Sequence, residues 1–374
     1  MTSDDGGPGR ESGRGSAGES DLGPADDAIL ALLLEVAGTP KPGNVDRHRD
    51  LDDLRFESFL GGAVGAREGL ELAADGEKSV GTAFEHGVAG MADRAGTNTQ
   101  FGCVLLLVPL VRAAAEGDLT PAGLDRVTRE TTVDDAVAFY RAFEHVDVAV
   151  ADPPADAADL DVRRGSDAAP ALREREVTLR DVMALSADVG DGSESIGDGS
   201  GATGDGSGAT GDGSGATGDG SGAANDGSDR VPDRNALEWI GGFRRTFRAA
   251  EWILSDDGPL TERAARAFIG LLAAEPDTLV ATTHGIEAAR AASDRAAALL
   301  GANGGTSNGH DADDIDADGL DGEIDSESVH AADLAAAEEL AIAFVDEGIN
   351  PGTTADLTCA ALYVALRRGA EVSP

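Results

Sequence analysis

Apolar residues recur at spacings of three and four through most of the chain, and no stretch alternates convincingly with a period of two, so the pattern predicts helices and no sheet. A first helix starts near Pro24, carries an apolar run from Ala28 to Ala37 and stops at Gly38. Leu54, Phe59, Leu60, Ala63, Val64, Leu70 and Leu72 predict a second over 53–74, whose Gly61, Gly62, Gly65 and Ala66 suit close helix contact. Ser79 caps a helix to Ala95, and the most apolar run of the chain, 101–116, makes a central helix that Pro109 should bend. Thr120-Pro121 and Thr132-Val133-Asp134-Asp135 are two further helix starts. Residues 147–177 read as a long connection, and Thr178 opens a short helix to about Ala187. Leu237, Ile240, Phe243, Phe247, Ala250 and Leu254 place one amphipathic helix over 232–254. Helices over 261–274, 277–300 and 331–346 follow, and Asn350 opens a last one that runs to Arg368.

The periodicity lapses in three places. Residues 1–23 are Gly, Ser and Asp rich, lack the apolar core of a signal peptide, and read as a disordered tail. From Gly197 the motif Gly-Asp-Gly-Ser-Gly-Ala-Thr repeats every seven residues, but with nothing apolar at the a and d positions of a heptad and with glycine at nearly every second place it makes no helix. It reads as a flexible insert at about 188–229, and a second, acidic insert covers 301–328. Roughly 280 residues remain to build a core, which fits one all-α, multi-helix domain over 24–374.

Charge alters this picture less than its size suggests. The chain of 374 residues holds 70 Asp plus Glu against 29 Lys plus Arg, a formal charge of -41. That argues against nucleic-acid and anionic-membrane partners, which require a basic face. The acid is spread along the whole chain and lysine is scarce, as in the cytoplasmic proteins of halophiles; in molar salt the Debye length falls to about 3 Å and such a surface serves hydration. The two cysteines, Cys103 and Cys359, both sit in apolar runs, so neither a disulfide framework nor a cysteine-based zinc site is expected. The longest apolar stretch is far below the roughly 20 residues of a membrane span, and a cytoplasmic location follows.

The candidate chemistry centres on residues 39–56. Pro40 and Pro42 stiffen the backbone on either side of Lys41, and four acids and three arginines follow within ten residues, on a fixed loop expected to bury little. Asp46, Asp50 and Asp53, with Asp52, could take a hard cation such as Mg²⁺, while Lys41, Arg47, Arg49 and Arg55 could meet phosphate oxygens. The competing reading is a solvated, self-paired charge run. His48 and His284 carry no more than incidental weight. Two later stretches, Gly96-Thr97-Asn98-Thr99-Gln100-Phe101-Gly102 and Asn350-Pro351-Gly352-Thr353-Thr354-Ala355-Asp356, put small polar residues ahead of helix N-termini. There they either hold an anion or simply cap the helix. Asp314-x-Asp316-x-Asp318-Gly319 with Asp325 approximates a calcium loop, but no helix precedes it and position eight is Asp321.

In order, these three blocks resemble the triphosphoribosyl-dephospho-CoA synthase family, in the manner of a divergent archaeal-type member. The family shows Pro-Lys-Pro-Gly-Leu-Val-Asp, Gly-Ala-His-x-Asp-Met, Asn-Thr-His-Lys-Gly and a Pro-Gly-Gly-x-Ala-Asp-Leu stretch. The first, third and fourth are present from Lys41 to Leu357. Asn44 stands in place of Leu, Asp53 of His, Arg55 of Asp, Phe56 of Met, and Gln100-Phe101 of His-Lys. The resemblance implies an enzyme that moves a triphosphoribosyl group from ATP to dephospho-CoA, with magnesium and a downstream carrier protein as further partners. Asp46 and Asp356 would be its catalytic carboxylates. Lys41, Gly43, Asn44, Arg47, Arg55, Asn98, Thr99, Gly102, Asn350, Gly352 and Thr354 would bind substrate phosphates, and Asp46, Asp50 and Asp53 the metal. A related magnesium-dependent nucleotide transferase or hydrolase, and a helical binding protein modulated by calcium, are the alternatives.

Overall fold

The structure, a computed structural model, describes residues 22–151, 153, 155–187, 232–300 and 324–372. The tail, the seven-residue repeat and most of the calcium-like string lie outside those residues. The chain runs through α1 (Pro24–Ala37), α2 (Phe56–Gly65), α3 (Arg67–Asp75), α4 (Val80–Ala95), α5 (Phe101–Ala115), α6 (Pro121–Arg129) and α7 (Val133–Ala142). After two short 3-10 segments come α8 (Ala169–Glu174), α9 (Leu179–Ala187), α10 (Arg234–Gly241), α11 (Arg244–Ser255), α12 (Leu260–Ala274) and α13 (Thr278–His284). The last are α14 (Ile286–Ala297), α15 (Ser326–His330), α16 (Leu334–Glu347) and α17 (Gly352–Arg367). No strand occurs among the described residues; a single bridge joins Asp46 to Arg49. None of the described helices is long and apolar enough to cross a membrane.

Two helices form the axis of the core. In α5 and α17 nearly every side chain is buried, the two pack on each other, and α1 lies against both. A helix that is apolar all round can only be stable surrounded by others, and α3, α4, α11 and α12 complete that surround. Ser79, Thr120 and Thr132 cap their helices as their spacing predicts, Thr132 in a full capping box with Asp135. Glycines let α2 and α3 press onto α4: a Cβ on Gly65 would stand 2.1 Å from the Gly90 carbonyl oxygen.

Three of the expected long helices are broken instead. The segment over 53–74 divides at Ala66 into α2 and α3, which start only at Phe56. The segment over 232–254 divides at Gly242 and Phe243, both in left-handed backbone (φ 72° and 61°). The compensation there is tertiary: Phe243 becomes fully buried, and the buried Glu238 carboxylate accepts the free Arg245 and Thr246 N–H groups at the start of α11. Gly285 (φ 87°) separates α13 from α14. The connection over 147–177 is shorter than expected, since it contains both 3-10 segments and α8, and the second insert ends by Ile324 because Asp325 caps α15.

Candidate functional site

The organising loop is built inward, not outward. From Gly38 to Asp46 every residue is buried, and only from Arg47 does the chain reach the surface. Val45 packs with Val36 and Phe59, and Gly43 (φ 73°) lies so close to the start of α17 that a Cβ there would stand 2.0 Å from the Ile349 carbonyl oxygen. Lys41, 1 % exposed, forms a buried ion pair with Glu35 of α1 and donates to Asn44 Oδ1 at 3.0 Å. Asn44 Nδ2 in turn donates to Asn350 Oδ1 at 2.9 Å. Glu35 sits in so little water that burial pushes its carboxyl above the usual range, with Lys41 pulling the other way.

Asp46 is the knot of this loop. Its carboxylate accepts from the Thr39 hydroxyl (2.9 Å), the Lys41 N–H (3.3 Å), the His48 N–H (2.8 Å) and Arg49 Nη1 (2.7 Å). Four donors around a fully buried carboxylate leave no open edge for a metal ion. Asp50 accepts from the Phe56 N–H at 2.8 Å, at the start of α2, and Asp53 is exposed. No cluster of three His, Cys, Asp or Glu side chains suited to a metal occurs among the described residues. The residues at 46, 50 and 53 therefore do not fit a magnesium cage.

Beside this loop opens a cleft of about 990 Å³. Glu35, Asn44, Asn98, Thr99, Gly102, Asn350, Gly352 and Asp356 all line it, so the loop and both helix starts converge on one space. Asp356, half-buried one turn into α17, accepts from Asn235 Nδ2 at 2.9 Å and from the Cys103 thiol at 3.2 Å. Desolvation pushes its carboxyl up to about 7, against the pull of those two hydrogen bonds. The neighbouring Cys103 and Cys359 are free and buried, and both thiols titrate high. Gly102 makes room for this arrangement, because a Cβ there would lie 1.9 Å from Asp356 Oδ2. Gly102→Ala should displace the carboxylate and cost most of the activity while circular dichroism stays that of a helical protein; full activity in the alanine variant would show that the contact does not matter.

Other expected residues lie elsewhere. Arg47 and Arg55 are exposed and do not line the cleft, and Arg55 stands 3.8 Å from Asp50. Thr354 is spent on Asp277, whose Oδ2 accepts from its N–H and its hydroxyl at 2.7 Å each. Asn98 Oδ1 accepts from the Phe101 N–H (3.2 Å) at the start of α5 even as the residue lines the cleft. His48 and His284 are exposed. Glu35, Cys103 and Asn235 are the residues that sequence reading passed over. Glu35 carried a signal, as the lone charge in the apolar run 28–37, whereas Asn235 carried none.

The carboxylates Glu35, Asp147, Asp161, Asp233 and Asp356 face the cleft, and no lysine or arginine is among its described lining residues. What this space can hold chemically is a ligand with donors and positive character near Asp356, whose pKa suits proton transfer near neutral pH.

A solved structure from Archaeoglobus fulgidus, described as a candidate triphosphoribosyl-dephospho-CoA synthase, shares the fold with a TM-score of 0.53 at 19% identity, over 84% of this chain and 99% of that one. No curated protein matches the chain by sequence. The family model described as ATP:dephospho-CoA triphosphoribosyl transferase matches residues 23–196 and 230–373, passing over the seven-residue repeat. With the match on both sides of that repeat and taking in the loop, the α5 start and Asp356, the chain belongs to the ATP:dephospho-CoA triphosphoribosyl transferase family.

Proposed function

We propose that this chain transfers the 5-triphosphoribosyl group of ATP to 3'-dephospho-CoA and releases adenine, making the precursor of a prosthetic group for a carrier protein. The observation that carries the reading is Asp356, held by Asn235 and Cys103 at the wall of a cleft large enough for two nucleotides, with a pKa of about 7. The ribose hydroxyl of dephospho-CoA forms a new bond to C1' of the ATP ribose while the bond from C1' to adenine N9 breaks. Asp356 as carboxylate accepts the hydroxyl proton, and the departing adenine leaves with the electron pair of the broken bond and takes up a proton. The ribose passes through a state with oxocarbenium character. Asp356, facing the cleft, favours that positive charge.

Asn98, Thr99, Asn350 and the backbone at Gly102 supply neutral donors for phosphate oxygens. Magnesium belongs to the substrate here, arriving with the triphosphate. That assignment follows from the acidic lining, which would otherwise repel a polyphosphate.

The test is purified protein in high salt with ATP, magnesium and dephospho-CoA, scored for free adenine by chromatography. Adenine should appear only when both nucleotides are present. Loss of ATP without the acceptor, with phosphate and no adenine as product, would replace the reading with a hydrolase.

A further inference from the structure

Lys41 is buried behind the cleft wall, paired with Glu35, and does not itself line the cleft. Its ammonium nonetheless dictates what the wall presents. An ammonium group only donates, so the Asn44 atom 3.0 Å from it has to be the amide oxygen. That leaves Asn44 Nδ2 facing Asn350, and the Asn350 atom 2.9 Å away is therefore the oxygen. Of the side-chain amide atoms of Asn44 and Asn350, Nδ2 of Asn350 is then the one left over, a donor on a residue that lines the cleft. Neither amide can flip without setting like groups against each other, at Lys41 or at the contact between them. Gly43 keeps the two amides in contact, since its backbone sits directly against Ile349.

We propose that Lys41 is a positioning residue: through Asn44 it holds the Asn350 amide with Nδ2 toward the cleft, where it donates to a phosphate oxygen of a nucleotide substrate. The ligand class rests on the proposed function; the orientation of the two amides does not. The arrangement answers a need of this cleft. Its described lining has no cation to meet a phosphate, so neutral donors must do so, and a chain of hydrogen bonds that begins at an ammonium polarises each amide in turn. Glu35 balances the charge of Lys41, so the relay conveys direction and polarity without placing a cation at the reacting ribose.

The experiment uses the full chain and a cycle of Asn44→Leu, Asn350→Ala and the double variant, because these leave the Lys41 and Glu35 pair intact. ATP and dephospho-CoA are titrated separately by calorimetry, and adenine release is followed in parallel. Each single variant should weaken one of the two nucleotides about ten-fold, the scale of one lost hydrogen bond to a charged group. The loss should fall on KM rather than kcat, and the double variant should be no weaker than Asn350→Ala alone. Which nucleotide responds tells whether the triphosphate or the CoA diphosphate sits there. Unchanged affinity for both nucleotides, or losses that add in the double variant, would overturn the relay. If the wild type binds ATP and releases no adenine, the proposed reaction fails, while the titrations still decide the relay.

Discussion

Asp356→Asn is expected to lower adenine release by about 10²- to 10⁴-fold, the range associated with one positioned proton-transfer group. The substitution keeps the shape of the side chain and removes its capacity to take the hydroxyl proton. In the wild type the carboxylate form is the active one, so the rate should fall as pH drops through about 7. Hydrogen bonds from Asn235 and Cys103 pull that value down. Asn235→Ala and Cys103→Ala should therefore move the acid limb of the profile to higher pH, a readout that simple loss of structure would not produce. Stability should move the other way. A carboxyl whose folded pKa is raised favours folding fully below its unfolded value and loses that contribution as pH rises through the folded value. At pH 8 the wild type bears the cost of an ionised, desolvated Asp356, and Asp356→Asn should melt a few degrees higher there and gain little near pH 4. A variant that keeps near-wild-type rates and a flat pH profile would remove Asp356 from the chemistry.

How much of this was legible in the sequence depended on how local its cause was. Ser79, Thr120 and Thr132 cap helices through bonds to residues three places on, so a linear reading finds them. The break at Gly242 and Phe243 was not legible, because helical spacing continues across it. It exists because Phe243 finds a buried site and the Glu238 carboxylate replaces the helix bonds. The all-α class and the central position of α5 were visible in apolar periodicity alone, whereas the burial of α17 beside it came only with the fold. At the site, the convergence of three distant blocks was read from family resemblance, and the cleft that joins them needs the fold. The loop was misjudged as one that buries little because its composition is charged. Its burial depends on Glu35, six residues upstream on an apolar helix, which turns Lys41 from a surface cation into an interior one. Asn235 and Cys103 act on Asp356 across 121 and 253 residues of chain, beyond any spacing rule.

Lys41→Met is expected to destabilise the fold by about 3–5 kcal/mol, as it leaves Glu35 buried without its partner. Against a typical total of about 5–15 kcal/mol that is enough to unfold much of the protein. The effect should depend on pH in a defined sense. Burial already raises the Glu35 pKa while Lys41 lowers it, so removing Lys41 raises it further. A group with a raised folded pKa contributes stability that is complete below its unfolded value, here 4.5, and is lost as pH climbs through the folded value. The melting temperature of Lys41→Met should thus fall more steeply than that of the wild type between pH 5 and pH 8. Glu35→Gln in the same chain should restore most of the loss, since a neutral pair leaves no stranded charge. Asp52→Asn, at an exposed position of the same loop, should stay within about 0.5 kcal/mol of wild type at every pH. Thermal melts followed by circular dichroism across that pH range decide the matter. If Lys41→Met is no less stable than the double variant, or its loss is the same at pH 5 and pH 8, then the ion pair is not what holds this loop in the interior.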